Sequence, residues 1–85
     1  MSHIELKILY FAAAREKVGR SEEILTFEKP MTLTELKQYL FSTYSDLEKI
    51  APYLRWAINQ SFQDDESLSL STGDEIAIIP PISGG

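Results

Sequence analysis

The chain contains no cysteine, and its one histidine is His3, beside the amino terminus. The lack of cysteine excludes disulfides, thiolate catalysis and sulfur-ligated metal sites. A lone histidine near a chain end is most often a solvated residue, so we expect no catalytic role for it. Glycine is scarce as well: two of the four glycines are terminal, which leaves no glycine-rich phosphate loop. We therefore expect a chain that is not a complete enzyme by itself and holds no cofactor or metal.

Long apolar runs are also absent. The longest, from Ile8 to Ala14, falls far short of the ~18 residues that a membrane-spanning helix needs. Its alanines resemble the cleavage site of a signal peptide, but Glu5 lies where such a peptide is positively charged. Cleavage there would also remove the best predicted strand. These features predict a cytoplasmic protein without a membrane partner.

Negative charge predominates in the sequence. Thirteen acidic residues against 8 basic ones give a net charge of −5 over 85 residues. This excess of carboxylates argues against nucleic acid as the main partner and is compatible with a partner that carries a basic groove. The length suffices for one domain with a small core.

Alternating apolar and polar residues from Ile4 to Tyr10 predict a first strand with one buried face. Ala12 to Gly19 is interpreted as a short connection, and Glu23 to Glu28 as a second strand that pairs with the first. Thr32 then precedes Glu35 by three residues, which is the pattern of a capping box. Apolar residues follow at helical spacing and predict a helix from Leu33 to about Tyr44.

After the helix, Asp46 to Ile50 is predicted to form a short turn that ends at Pro52. Three further strands are predicted to follow it. Tyr53 to Gln60 is rich in aromatic and β-branched residues, Ser61 to Gln63 is expected to pair briefly, and Glu75 to Ile79 forms the last strand. The last strand is apolar on both faces, which is typical of a central position in a sheet.

This order of elements predicts an α+β fold. One main helix must cover one face of a mixed sheet of four to five strands. Because the first and last strands are the most apolar, we expect them to lie side by side and parallel in the middle of the sheet. That is the β-grasp, or ubiquitin-like, arrangement. Residues 1–81 are predicted to form this domain and residues 82–85 a flexible tail.

The chain ends in Pro80-Pro81-Ile82-Ser83-Gly84-Gly85. The prolines lack an N–H and end sheet pairing, while the glycines lack a Cβ and can pass through a narrow channel. The carboxylate of Gly85 is ionised at pH 7, so another protein must activate it, most simply as an acyl-adenylate. An amine would then give an isopeptide and a sulfur a thiocarboxylate. The residues alone leave these alternatives open, together with an inert terminus.

The sequence resembles the MoaD family of ubiquitin-like sulfur carriers, the small subunits of molybdopterin synthase, over nearly its whole length. Four groups of residues carry the resemblance: Tyr10-Phe11-Ala12 with Arg15-Glu16, Thr34-Glu35-Leu36, Ala57-Ile58-Asn59-Gln60, and Gly73-Asp74-Glu75-Ile76-Ala77 followed by Pro80-Pro81-Ile82-Ser83-Gly84-Gly85.

The resemblance implies a reaction cycle in which Gly85 is the reacting end. A ubiquitin-activating-enzyme-like adenylyltransferase would adenylate it with ATP and magnesium, and a sulfur donor protein would convert it to a thiocarboxylate. The tail from Pro80 to Gly84 would then enter the active site of the large synthase subunit and give sulfur to cyclic pyranopterin monophosphate, in molybdenum cofactor biosynthesis. Two carriers would serve a large-subunit dimer and form a heterotetramer.

The resemblance also implies an apolar docking patch near the tail. Phe11, Phe62 and Ile79 occupy the matching places, with Arg15 as a polar neighbour. As alternatives, Phe11 and Ile79 are ordinary core residues and Phe62 is a hairpin residue packed on the sheet. Two other functions share the Gly-Gly end: a protein modifier conjugated through Gly85, and a sulfur carrier of the thiazole pathway.

Overall fold

The last strand of the chain lies at the centre of the sheet. The computed structural model describes residues 3–81. In it β7 (Glu75–Ile79) is parallel to β1 (Ile4–Tyr10) on one side and antiparallel to β4 (Arg55–Ile58) on the other. Two outer strands complete the order β2-β1-β7-β4-β5, namely β2 (Glu22–Phe27) and β5 (Ser61–Phe62). The predicted mixed sheet, with its first and last strands adjacent and parallel, is confirmed.

The main helix, α2 (Leu33–Thr43), begins at the predicted capping box. The Thr32 hydroxyl accepts from the Glu35 N–H at 3.2 Å, and a Glu35 carboxylate oxygen accepts from the Thr32 N–H at 2.9 Å. These two bonds satisfy donors that the first helical turn cannot pair internally. The helix buries Leu33, Leu36 and Leu40 against one face of the sheet.

The core lies between α2 and that face. Side chains at alternate positions of the three central strands are almost completely buried there: Leu6, Ile8, Tyr10, Trp56, Ile58, Ile76 and Ile78. The strand register places Ile76 between Ile8 and Ile58, and Ile78 between Tyr10 and Trp56. The period-two pattern in the sequence therefore encodes this face directly.

Ala12 to Gly19 was predicted as a connection and is instead largely helical. Helix α1 (Ala12–Val18) buries Ala14, and Gly19 ends it in the left-handed region, with φ of 90° and its N–H donating to the Arg15 carbonyl. Three alanines followed by Arg-Glu-Lys have high helix propensity, but seven residues are too few for a visible apolar period.

The strand predicted at Tyr53 to Gln60 is shorter than expected. Tyr53 belongs to a 3₁₀ helix (Ala51–Tyr53) instead of the strand. Pro52 lies in the first turn of this helix, where proline is favourable, so it does more than end the preceding turn. Asn59 and Gln60 have φ of 51° and 73°, so they form the tight turn into β5. The expected turn after the main helix is one turn of helix, α3 (Ser45–Glu48).

A second, two-stranded sheet was not predicted. It pairs β3 (Met31–Thr32) with β6 (Ser69–Leu70) in antiparallel register. Beside it the Leu33 N–H donates to the Leu68 carbonyl at 2.9 Å, which attaches the start of α2 to the segment that leads into β6. A strand of two residues is too short to show an alternating pattern. Its formation depends on pairing with a segment that is distant in the sequence. Within residues 3–81, no helix has the length and hydropathy to cross a membrane.

Candidate docking interface

One face of the sheet lacks a helix over it in the described part of the chain. The register places Ala77 of β7 between Leu9 and Ala57, and Phe62 of β5 opposite Ala57. None of these residues belongs to the core cluster that α2 covers. We call this surface, at the end of the sheet where β7 finishes, the open face. It comprises Leu9, Phe11, Arg55, Ala57, Phe62, Ala77 and Ile79.

Phe11 extends this face beyond the end of β1. Its N–H donates to the Ile78 carbonyl at 3.2 Å, which continues the parallel ladder by one residue and places Phe11 beside Ile79. The Phe11 side chain is 44% exposed and Ile79 is half-buried. Neither residue therefore lies in the buried core, which was the alternative considered for them.

Phe62 lies on the outermost strand and is 52% exposed. The guanidinium carbon of Arg55 lies 3.8 Å from the centre of its ring, a stacked cation–π contact. Arg55 pairs in register with Ile79, so it links the exposed ring to the end of β7. Sequence reasoning did not place Arg55 at this site, because only the antiparallel pairing of β4 with β7 brings the two together.

Arg15, the predicted polar neighbour, is exposed on α1 four residues after Phe11. The structure thus brings Phe11, Phe62 and Ile79 to one face, with Arg15 on the helix that follows Phe11. Their role in docking stays a prediction. Exposed apolar groups of this kind are typical anchors of protein interfaces.

The tail leaves from the end of this face. Ile79 makes the last strand pair of β7, with Arg55, and Pro80 and Pro81 follow outside the strand. Neither proline has an N–H to donate, so β7 cannot continue. The other predicted tail residues, Ile82, Ser83 and Gly84, and the predicted reacting end, Gly85, lie outside the described residues.

Residues from two of the motifs that resemble the MoaD family are hydrogen-bonded to each other at the start of β7, the strand that leads to the tail. The Asn59 amide donates to Asp74 Oδ1 at 2.9 Å, and its carbonyl oxygen accepts from the Glu75 N–H at 3.0 Å. Asp74 Oδ2 also accepts from the Ser71 N–H at 2.8 Å. Gly73 turns with φ of 90°, which favours glycine. These hydrogen bonds therefore hold the start of β7 in place.

A partly buried cluster of hydroxyl and carboxylate groups ties β1, β2 and the end of α2 together. The hydroxyls of Tyr10 and Tyr44 donate to the same Glu23 oxygen, at 2.5 and 2.7 Å, and Arg20 pairs with the other oxygen at 3.2 Å. Burial, followed by the hydrogen bond to Glu23, raises the pKa of Tyr10 far above its ordinary value. The same causes raise the pKa of Tyr44.

The sheet order, the single main helix and the open face define a β-grasp protein of the ubiquitin-like class. A model of the ThiS family matches residues 8–85, and the chain belongs to that family.

Two curated relatives cover almost the whole chain. The molybdopterin synthase sulfur carrier subunit of Caenorhabditis elegans is 32% identical over 83 residues, covering 96% of this chain and 99% of the relative. The protein of the same name from Chlamydomonas reinhardtii is 34% identical over 85 residues, covering 96% and 100%. The family model, which matches residues 8–85, includes the open face and the tail residues, and with these relatives it supports the resemblance found in the sequence.

Solved structures share the fold. Putative molybdopterin converting factor subunit 1 from Pyrococcus furiosus has a TM-score of 0.83 at 18% identity, covering 93% of this chain and 99% of its own. Small archaeal modifier protein 1 from Methanosarcina acetivorans has a TM-score of 0.80 at 24% identity, with 100% of both chains covered. A complex of subunits 1 and 2 of the molybdopterin-converting factor from Helicobacter pylori gives 0.73 at 22% identity, covering 96% and 100%.

Proposed function

We propose that the chain is the sulfur carrier and small subunit of a molybdopterin synthase. The observation that carries this proposal is the near-complete coverage of relatives with that name, at 32% and 34% identity. The open face next to the exit of a Gly-Gly tail supports it, because a carrier needs a surface for docking and a thin end for chemistry.

The chemistry belongs to the carboxylate of Gly85. An adenylyltransferase joins it to the α-phosphate of ATP with release of pyrophosphate, using magnesium to bind the nucleotide. The outer sulfur of a persulfide on a donor protein then attacks the activated carbonyl, and AMP leaves. A second thiol reduces the resulting acyl disulfide, which releases the thiocarboxylate and leaves that thiol in a disulfide with the donor cysteine. Glycine at this end leaves the carbonyl unshielded by a side chain. The nucleotide and the metal ion belong to the activating enzyme.

The open face binds the large subunit while the tail enters its active site. Titratable groups suited to acid–base catalysis do not converge at the tail exit within residues 3–81, so the catalytic side chains belong to the partner. In the Helicobacter pylori structure the two subunits of the converting factor form a complex. By analogy, this chain acts as the sulfur-donating subunit and the precursor is cyclic pyranopterin monophosphate. Two carriers on a dimer of large subunits form the heterotetramer.

Intact-mass spectrometry tests the proposal. The full chain is incubated with the cognate adenylyltransferase, ATP, magnesium and a sulfur donor. The expected product has one oxygen replaced by sulfur, which fragmentation locates at Gly85. A chain that lacks Gly85 is the matched control and should gain no sulfur. An unchanged mass of the full chain, with an active adenylyltransferase confirmed on its own, would contradict the proposal.

The two other functions that share the Gly-Gly end predict different products. A modifier conjugated through Gly85, the role named for small archaeal modifier protein 1, would appear in cells as conjugates to other proteins. A thiazole-pathway carrier would form the thiocarboxylate but would not deliver its sulfur to cyclic pyranopterin monophosphate with the large subunit. Formation of molybdopterin from the purified thiocarboxylate, precursor and large subunit therefore identifies the proposed function, and conjugates in cells identify a modifier.

A further inference from the structure

Arg55 is the charged side chain at the tail end of the open face. It lies on β4, pairs with Ile79 at the tail exit, and stacks on Phe62 with 3.8 Å between its guanidinium carbon and the ring centre. This contact holds the guanidinium against the face of the Phe62 ring. The Arg55 side chain is exposed, so these donors are hydrated in the free protein.

The donors of Arg55 have no acceptor within residues 3–81. Each of the three ion pairs in this part of the chain uses another cation, Arg20, Lys37 or Lys49. A partner that covers Phe62 must also remove water from the guanidinium that lies on it. An ionised group that loses its water without gaining an acceptor costs much of the binding free energy. The partner must therefore supply an acceptor at this position.

The chemistry of the guanidinium favours a carboxylate as the acceptor. The chain as a whole is acidic, with 13 carboxylate residues against 8 basic ones, yet the tail end of the sheet carries Arg55 and, on the neighbouring helix, Arg15. Asp64 and Glu66 line the same surface pocket as Arg55. Neither forms an ion pair with it, and Glu66 pairs with Lys37 instead. A carboxylate accepts two parallel bonds from one guanidinium.

We propose that the large subunit presents a carboxylate to Arg55, and that this ion pair, stacked against Phe62, determines which large subunit the carrier accepts. The inference rests on the proposed function, since it concerns the same docking event. It goes beyond that function by assigning to Arg55 a part in partner selection and by giving the chemistry of the opposing surface, an aspartate or glutamate at the edge of an apolar patch.

Affinity measurements with the purified cognate large subunit test this inference. Arg55→Met keeps the length and apolar stem of the side chain and should weaken binding about tenfold or more. Arg55→Glu brings two carboxylates together and should weaken it further, by about a hundredfold or more. Lys29→Glu is the matched control, because Lys29 lies beside α2 residues Glu35 and Tyr39 on the helix side of the sheet, and it should bind like the wild type.

Rescue identifies the opposing group. Each aspartate and glutamate on the docking surface of the large subunit is changed to arginine, and one such variant should restore binding to Arg55→Glu while binding wild type poorly. Wild-type affinity for Arg55→Met, or an equal loss for Arg55→Glu and Lys29→Glu, would overturn the inference. Circular dichroism checks that each variant folds.

A Phe62→Asp variant separates this inference from the proposed function. If Phe62→Asp loses binding while Arg55→Met does not, the open face is the docking surface and only the ion pair is wrong. If Phe62→Asp and Arg55→Glu both bind like the wild type, the open face does not dock and the proposed mode of function is wrong as well. Loss of binding in both Phe62→Asp and Arg55→Glu supports the docking surface and the ion pair together.

Discussion

The Asn59 amide donates a 2.9 Å hydrogen bond to Asp74, joining the turn after β4 to the turn before β7. Asp74 also accepts from the Ser71 N–H, so one carboxylate organises both the loop and the start of the central strand. The strand that carries the tail is therefore positioned from its beginning by polar contacts and along its length by the core.

Asp74→Ala should destabilise the fold by about 1–2 kcal/mol, because it removes two hydrogen bonds at a partly exposed site. Urea unfolding followed by circular dichroism measures the loss. Asp64→Ala is the control, since Asp64 is exposed in the loop that follows β5, and the substitution should change stability by less than about 0.5 kcal/mol. Equal stability of the two variants would show that the Asp74 contacts contribute nothing.

Glu23→Ala should lower the free energy of unfolding more than Asp74→Ala does, by about 2–4 kcal/mol. The substitution leaves the buried hydroxyl of Tyr10 and that of Tyr44 without their shared acceptor. Glu22→Ala, one residue earlier and exposed, is the matched control and should unfold like the wild type. A thermal or urea midpoint of Glu23→Ala close to that of the control would contradict the prediction.

Stability should fall as the pH rises above about 10. The folded-state pKa of Tyr10 is raised, chiefly by burial, above the unfolded value of 10.0. Above that pH the unfolded chain releases a proton that the folded chain retains, so the stabilising contribution is complete below pH ~10 and is lost at higher pH. Urea midpoints between pH 8 and 11 measure this slope.

Tyr10→Phe is the control for the pH dependence and should flatten the slope. An absorbance titration of tyrosinate provides a second measurement. Tyr10 and Tyr44, whose pKa values are raised by burial and by the hydrogen bond to Glu23, should ionise at higher pH in the folded than in the unfolded protein. A stability that is constant up to pH 11 would show that the Tyr10 hydroxyl is not held by the fold.

Phe62→Ala should weaken binding to the large subunit about 30-fold or more without loss of stability, since Phe62 is half exposed and anchors of this size dominate interface energies. Calorimetric titration of the complex measures the affinity. Tyr53→Ala is matched as an exposed aromatic residue, 65% accessible, that lies in the 3₁₀ turn and off the open face. If Tyr53→Ala loses as much affinity as Phe62→Ala, the docking surface has been placed wrongly.

Much of the fold was predictable because its signals are local. The alternation at Ile4 to Tyr10, the capping box at Thr32, and the apolar run at Glu75 to Ile79 each have a period or a partner within a few residues. The elements that were missed depend on distant contacts. Helix α1 is too short to show a period, and β3 exists only because Leu70 lies opposite Met31, far along the chain.

The residues of the candidate site also differ in how far the sequence could predict them. Phe11, Phe62, Ile79 and Arg15 could be named from the resemblance, but nothing in their spacing shows that three of them share a face. Arg55 could not be named at all, because its position depends on the register of β4 against β7. A shift of that register by one residue would turn its side chain into the core.

The sequence by itself determined the β-grasp order of elements, the end of β7 at Pro80-Pro81 and the Gly-Gly terminus, since backbone preferences and apolar periodicity are properties of neighbouring residues. The tertiary structure alone decided which side chains meet. Strand pairing sets Arg55 beside Ile79 and stacks it on Phe62, and brings Asn59 to Asp74. Such pairs are separated by many residues, and they form only when burial of the core fixes one strand register.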